Sequence, residues 1–594
     1  MSESDSDDER NDRSSTYDDR INQSIALNLI VKCNLPPSVI EQPGFRQFMK
    51  VVARKWKPSS ARFLKTRLVP SLYESLRKKI NLILEEIDHI SVTIDIWTDR
   101  RGKAFIGVTG HFIDIEFKSQ AVLLDFVRIR GSHTAENIRN WTKDMLEKLG
   151  ITHKIYRVIT DNASNMIKAY QFGLVVDDED QQDQEDSSRS EEYSFDTNTT
   201  EKSSFDIGWT LTDLTSDMNE ELVEMGQANG RLSCFAHSLQ LVIRDGLKSV
   251  PYLSKTLAKC KELSKKSHKS TKVADLLDDL DKRLSRSNIT RWNSEYLLVR
   301  SIIGLGKKNI EDITNAIGDD SLSFNNTDFS VLEEVVNILE PFAEITTTCQ
   351  SETAATISMI VPSIVHIMDH LKQMSTTVLL LKKLISQLDL SIHTRFAGIV
   401  KRLFMKPVAE NDPFNDPLYF IATLLDPKFK FRWTYLMSYS QSMESKLKHS
   451  MISMVLDECE RNTNRNIDQS SAQQSASSSF TTQTGSNPNI RKRKLFQYDD
   501  SDDLSSSSSN LKAADALTAY INESNRTNSL TCWKNSALSP LKDVVKRVFS
   551  VQASSAPIER TFSQSGLIMS PRRTSMRDDL FQSLVFLRVN HQLL

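Results

Sequence analysis

The sequence predicts an α/β protein: a sheet-bearing unit is followed by a long helical block and an ordered C-terminal segment. Three observations predict this. Residues 88–160 carry apolar residues at a period of two, the spacing of half-buried strands. Residues from about 231 to 548 carry them at helical spacing. Two long polar stretches then separate these regions from their neighbours.

The elements can be taken in chain order. Residues 1–20 are acidic and polar, a disordered tail with no apolar run resembling a secretion signal. Residues 21–88 read as helical; Pro70 opens a helix on which Leu72, Leu76, Ile80 and Leu84 share one face. Residues 89–174 form the first part of the core. Ile90, Val92, Ile94 and Ile96 alternate with polar neighbours, Arg100-Arg101-Gly102-Lys103 is a turn, and Ala104–Ile113 and Ala121–Ile129 complete an antiparallel meander. A helix over Ala135–Leu149 comes next, with Ile138, Trp141, Met145 and Leu149 on one side, and then an apolar strand over Ile155–Ile159.

Residues 175–228 are an acidic insert that reads as disordered, and 229–461 a helical block in which Leu332, Val335, Val336 and Leu339 mark one face. Residues 462–510 are a second disordered insert, rich in Ser and Gln, and 511–594 the C-terminal region. In that region Ser555 and Pro557 fit a helix start, and Ser575-Met576-Arg577-Asp578 fits a capping box ahead of a strongly apolar final helix.

Composition narrows the function classes. With 39% hydrophobic and 26% charged residues, the chain can bury a large core. It contains no run of about 18 apolar residues, which disfavours a membrane span. The six cysteines are scattered without a CxxC pair, pointing to a reducing compartment and away from zinc. The net charge of −2 conceals acid concentrated in Asp177–Glu192 and Asp499–Asp503, so the rest of the chain is more basic.

Three carboxylates stand at fixed positions within or just after apolar elements: Asp95 on the first strand, Asp161 at the end of the fourth, and Glu559 in an early helical turn. Three oxygen ligands on rigid elements suit a hard cation such as Mg²⁺ or Mn²⁺, which can serve phosphoryl transfer. Taken singly, each also has a structural reading: a strand-edge acid, a helix cap, an acid favoured near a helix N-terminus. Cys234-Phe235-Ala236-His237 is only half of a zinc site, and Trp292 on a helix is ordinarily core. Arg491-Lys492-Arg493-Lys494 reads as a nuclear localisation cluster, or else as a solvated charge run.

Six strings occur together in a defined order: TIDIWTD, VITDNASNM, CFAHSLQL, TRWNS, LLDPKFK and SSAPIERTFSQSG. In this they resemble the hAT transposase superfamily, including its domesticated BED-finger relatives. The resemblance covers most of residues 65–594 and implies a ribonuclease H-like α/β core split by a large helical insertion. It implies that Asp95, Asp161 and Glu559 are the catalytic, metal-binding acids. Cys234 and Arg560 become signature residues, His237, Arg291 and Trp292 become DNA contacts, and Trp292 a stacking platform for an extruded base. It further implies a C-terminal dimerisation region within 511–594, DNA as partner and a nuclear location. The BED finger usual in the family has no counterpart here, since only Cys33 precedes residue 234. Two functions are compatible with these signals: a metal-dependent transposase, or a catalytically silent, dimeric, DNA- or chromatin-associated regulator.

Overall fold

The computed structural model describes residues 17–170, 230–286, 292–474, 505–524, 529–570, 573 and 576–594. The acidic insert and the 491–494 cluster lie outside these residues, as does Arg291.

Five strands form one mixed sheet. β1 (Ile90–Thr98), β2 (Ala104–Ile113) and β3 (Ser119–Ile129) are the antiparallel meander that the period of two demands. The β1–β2 turn closes on the buried Asp99, whose carboxylate accepts the backbone N–H groups of Arg101 and Lys103 at 2.8 and 2.9 Å. β4 (Ile155–Thr160) runs parallel to β1, and β5 (Arg231–Ser233) parallel to β4, giving the order β3-β2-β1-β4-β5. β5 corrects the reading of residues from Arg231 onward as helical. Three residues are too few to show a period, and the strand is defined by its ladder to β4.

Seven of the described helices build and support the edge of this sheet. α1 (Val69–Glu85) has Pro70 in its first turn and buries Leu76, Ile80 and Leu84. α2 (Ala135–Lys148) and α3 (Ser164–Tyr170) flank β4 in sequence and pack on each other. α4 (Phe235–Lys248) leaves directly from β5. In the C-terminal region α5 (Ser539–Phe549), α6 (Ala556–Ile568) and α7 (Asp578–Val589) succeed one another.

Two apolar cores result. One gathers the sheet with α1, α2, α3, α6 and α7; the other gathers α4, α5 and the helices between them. The apolar side of α7 is largely used within the chain: Phe581, Leu584, Val585 and Leu587 are buried, and Tyr73 of α1 packs on Phe586. The helix does not start from a capping box. Its N-cap is Arg577, without a side-chain cap, and Ser575 lies outside the described residues. Asp578 at its first turn is instead met by Arg101, Lys103 and Arg128. Elsewhere the helix from Gln441 runs on to Gln474 and another begins at Ser505, so both ends of the 462–510 stretch are helical. Residues 17–20, assigned to the tail, are helical too.

A buried ionic network joins the two cores. Tyr156 of β4 donates to Glu458 at 2.8 Å, and Arg547 of α5 pairs with the same carboxylate at 2.8 Å. Arg157 pairs with Asp416 at 3.0 Å and lies over the Tyr156 ring. The Arg547 side chain is fully buried and that of Glu458 nearly so. Glu458→Leu strands the Arg547 charge and is expected to cost about 3–5 kcal/mol. Combining it with Arg547→Met is expected to recover much of that loss in urea unfolding, and a purely additive double mutant would contradict the account.

Candidate active site at the carboxyl edge of the sheet

β1 and β4 are parallel, with Thr93 paired to Ile159. Asp95 stands two residues further along β1 and Asp161 one residue past the end of β4, so continuing the register sets the two acids side by side. Neighbouring strands lie about 4.8 Å apart. Both acids emerge at the carboxyl ends of the parallel strands, where α/β sheets open their crevices.

Glu559 arrives from the far end of the chain, and a glycine decides how near. Asp95 pairs with Gly107 across the β1–β2 ladder, so both face the same side of the sheet. A Cβ on Gly107 would fall 2.4 Å from Ile558 Cδ1 and 3.1 Å from the Phe562 ring. The bare backbone therefore lets α6 lie directly on the sheet, with Glu559 next to the residue that touches it. The aromatic ring of Trp97, on the same side, stacks on Phe562 at 6.2 Å, and Phe105 packs edge-on against Phe581.

The start of α6 is fixed from the other core. Residues Val551–Ser555 cross between the cores and are buried throughout. Phe235 N–H donates to the Ala553 carbonyl at 2.9 Å, Thr356 Oγ1 accepts the Ala553 N–H at 2.9 Å, and Ser554 donates to the Cys349 carbonyl at 3.1 Å. Cys234 ties strand to helix: its own N–H donates to the Thr160 carbonyl, and its sulfur accepts from Ser555 N–H and O–H, both at 3.4 Å. Burial pushes the Cys234 thiol up from its ordinary value.

Charge is concentrated here. Asp95 is pushed from 3.8 up to about 7, first by burial, then by the nearby charges of Asp161 and Glu559. His237, one turn into α4, faces the same two acids; burial lowers its pKa while they oppose the shift. Beneath the site His111 bonds Thr93 Oγ1 at 3.0 Å and is pushed down to about 3 by burial and by Arg560, which keeps it neutral.

The acids do not form a closed cage. Among the described residues no three His, Cys, Asp or Glu side chains stand close enough together to hold an ion as they are. Asp95 Oδ1 accepts the Ile96 N–H at 2.7 Å, and Asp161 Oδ1 the Ala163 N–H at 3.1 Å. As a donor set the three carboxylates nonetheless fit a hard divalent cation, and the raised pKa of Asp95 marks the negative charge that such an ion would relieve.

The other expected residues have different partners. Arg560 turns away from the acids, pairing with Glu352 and donating to the Gln350 carbonyl at 3.0 Å, so it anchors α6 to the helical block. Trp292 opens the helix Trp292–Leu305, half-buried on the helical core with its ring 6.1 Å from that of Tyr296. Gly107, Ser555 and His111 do not stand out as site residues in the sequence. The first is legible only once its ladder partner is known to be Asp95.

Comparison with known proteins places this geometry. The ZBED1 RNase-like domain model matches residues 93–177, the ZBED1 RNase-like helical domain model 232–338, and the hAT family C-terminal dimerisation region 523–590. The sheet-bearing part is thus similar to an RNase-like domain and the start of the helical block to its helical companion. In these three regions the chain is similar to ZBED and hAT-family proteins, and its curated relatives include both transposases and zinc finger BED domain-containing proteins. It is 22% identical over 438 residues to the zinc finger BED domain-containing protein 6 of Homo sapiens, covering 69% of this chain and 37% of that protein. It is 26% identical over 296 residues to the putative AC transposase of Zea mays, 48% of this chain and 31% of that one. A putative transcriptional regulator of Talaromyces stipitatus is 28% identical over 142 residues, 23% of this chain and 17% of that protein. The matches thus span about a third or less of these relatives' length.

Two outcomes test the site. Gly107→Val is expected to lift α6 and cost about 1–3 kcal/mol by overpacking, with Ile558→Ala restoring part of it; an unchanged urea midpoint would refute the seating. Asp95 holds a proton in the folded protein between pH 3.8 and about 7 that the unfolded chain has already released. Its contribution to stability is therefore lost as pH rises through that window. Melting temperature is expected to fall from pH 5 to pH 8, less steeply in Asp95→Asn. Added Mg²⁺ or Mn²⁺ is expected to raise it at pH 8 in wild type but not in Asp95→Asn.

Proposed function

We propose that this chain is a hAT transposase-type protein that binds DNA as a dimer or higher oligomer and carries a metal-dependent site for DNA cleavage and strand transfer. The observation that supports the reading is that Asp95, from β1, feels the charges of both Asp161, after β4, and Glu559, on α6, at one edge of the mixed sheet.

In this reading Asp95, Asp161 and Glu559 hold Mg²⁺ or Mn²⁺, which supplies Lewis-acid stabilisation of the phosphate and a more acidic attacking hydroxyl. The residues of the chain do the rest. Asp95 and Asp161 exchange their local backbone bonds for that role. His237, neutral near pH 7 because burial lowers its pKa, donates a hydrogen bond toward the phosphate beside Asp161 and Glu559. Ser555 and Cys234 hold the first turn of α6 so that Glu559 cannot drift. Trp292 and Arg291 contact DNA from the helical block, Trp292 by stacking. No role for zinc is proposed, since the Cys234 sulfur already accepts two hydrogen bonds. Arg491–Lys494 direct the protein to the nucleus.

A second reading is a catalytically silent, dimeric nuclear regulator of DNA or chromatin. It is favoured by the absence of a ready cage among the described residues and by the name of the Talaromyces relative, a putative transcriptional regulator.

The test is nicking and joining of duplex DNA bearing candidate terminal repeats, with Mg²⁺ or Mn²⁺, by wild type, Asp95→Asn and Glu559→Gln. Each substitution is expected to lower the rate by about 100-fold or more while leaving DNA binding intact. A wild type that binds DNA and dimerises but never nicks selects the regulator.

A further inference from the structure

The same edge of the sheet carries a second feature, an open cleft of about 700 Å³ outside the carboxylate site. It lies between the β1–β2 turn and the loop that leaves β3, lined by Thr98, Lys103, Arg128, Arg130 and His133 among others. Strand directions fix its position. The carboxyl end of β1, the amino end of β2 and the carboxyl end of β3 all reach the edge at which Asp95 and Asp161 emerge.

The cleft and its rim are strongly cationic. Arg100, Arg101, Lys103, Arg128 and Arg130 gather there, against the carboxylates of Asp99 and Asp578. Those two are already engaged: Asp99 is buried and paired with Arg101, and Asp578 is paired with Lys103 and Arg128, which hold it below the usual carboxylate range despite its burial. Arg100 and Arg130 are exposed. A Cβ placed on Gly102 or Gly131, at opposite lips of the cleft, would meet nothing within 4 Å, so a ligand can approach the backbone itself. The N-terminus of α2, a helix of 14 residues capped by Thr134, begins next to His133 and adds its partial positive charge.

Distance selects the occupant. Thr98 lies three residues beyond Asp95 on the same strand, about 10 Å at roughly 3.3 Å per residue. That is the reach from one phosphate of a nucleic-acid strand to the next one or two. The cleft is wide and lined by cations rather than by apolar pockets, which suits a polyanion read through its charge more than a peptide read through its side chains.

We infer that this cleft is a phosphate clamp: it grips the DNA backbone just beyond the phosphate at the carboxylate site and sets that strand's register, independently of sequence. The inference rests on the DNA reading proposed above. Lys103 and Arg128 shape the cleft through Asp578, and Arg130 with Arg100 supplies the cations offered to the strand.

The test is duplex DNA binding by fluorescence anisotropy over a range of NaCl concentrations. It compares the wild-type chain, Arg130→Glu, the double variant Arg100→Glu/Arg130→Glu, and a charge-matched control, Lys372→Glu, on the helical block. Arg130→Glu is expected to weaken binding about tenfold or more at low salt. Each removed cation is expected to flatten the plot of log K against log salt by about one unit of slope. The melting temperature is expected to stay unchanged, and the control to behave as wild type. Arg130→Glu indistinguishable from Lys372→Glu in affinity and slope overturns the clamp, even where wild type nicks DNA and the proposed function stands. Weakened binding by Arg130→Glu in a wild type that never nicks upholds the clamp and removes the cleavage reading. Tighter binding of single-stranded RNA than of duplex DNA by wild type, or no binding of duplex DNA, overturns it.

Discussion

The structure depends on how closely α6 can approach the sheet. Gly107 removes the one Cβ that would keep Ile558 away, and Asp95 is its ladder partner. A side chain at 107 would move the helix outward and Glu559 with it, while Asp95 and Asp161 stayed in place on their strands. The same seating brings Phe562 onto Trp97 and lets α7 pass over Phe105 and Phe126, so the aromatic packing of this core and the geometry of its acids share one origin. Packed interiors transmit such a change because they have little slack to absorb it.

The helical block supplies the second constraint. Cys234 and Phe235 bond to the segment that crosses between the cores, and Arg560 reaches back to Glu352 from the opposite side of α6. The start of that helix is thus held between sheet and helical block, and β4, which delivers Asp161, is held through Tyr156 and Arg157 by Glu458 and Asp416. Buried ion pairs of this kind add little net stability compared with apolar packing, but they tolerate few alternative arrangements. Here they fix the position of one core against the other, and the acids lie along that seam.

Much of the sheet was legible in the sequence because its strands are long enough to show a period. β1, β2 and β4 alternate or run apolar for six to ten residues, and their ends fall where turns and polar residues begin. β5 was not legible, since three residues carry no period, and neither was the helical extension to Gln474, whose Gln and Ser residues are compatible with helix or coil. At the site, motif order located the three acids, while the residues that position them stayed hidden. Gly107 looks like any strand glycine until its partner is known. Cys234 and Arg560 were legible only as signature residues, and their partners, Ser555 and Glu352, lie more than 200 residues away in sequence. Local pattern cannot report a bond whose other end is set by the fold.

The remaining tension lies within the acids themselves. Asp95 carries a proton far above the usual carboxylate range because two like charges and a buried setting oppose its ionisation. Such an arrangement is unfavourable for stability alone and makes sense where a cation is to be bound, since the ion removes the burial penalty and the repulsion together. One oxygen of each carboxylate accepts a local backbone N–H, that of Ile96 at Asp95 and that of Ala163 at Asp161. The transposase and regulator readings therefore differ in a single physical quantity: whether coordination to a divalent cation is worth more than two local backbone bonds. Each such bond to a charged acceptor contributes about 1.5–3 kcal/mol. Relief of the Asp95 shift is of the same order, at about 1.4 kcal/mol per pKa unit, so the two readings rest on terms of similar size.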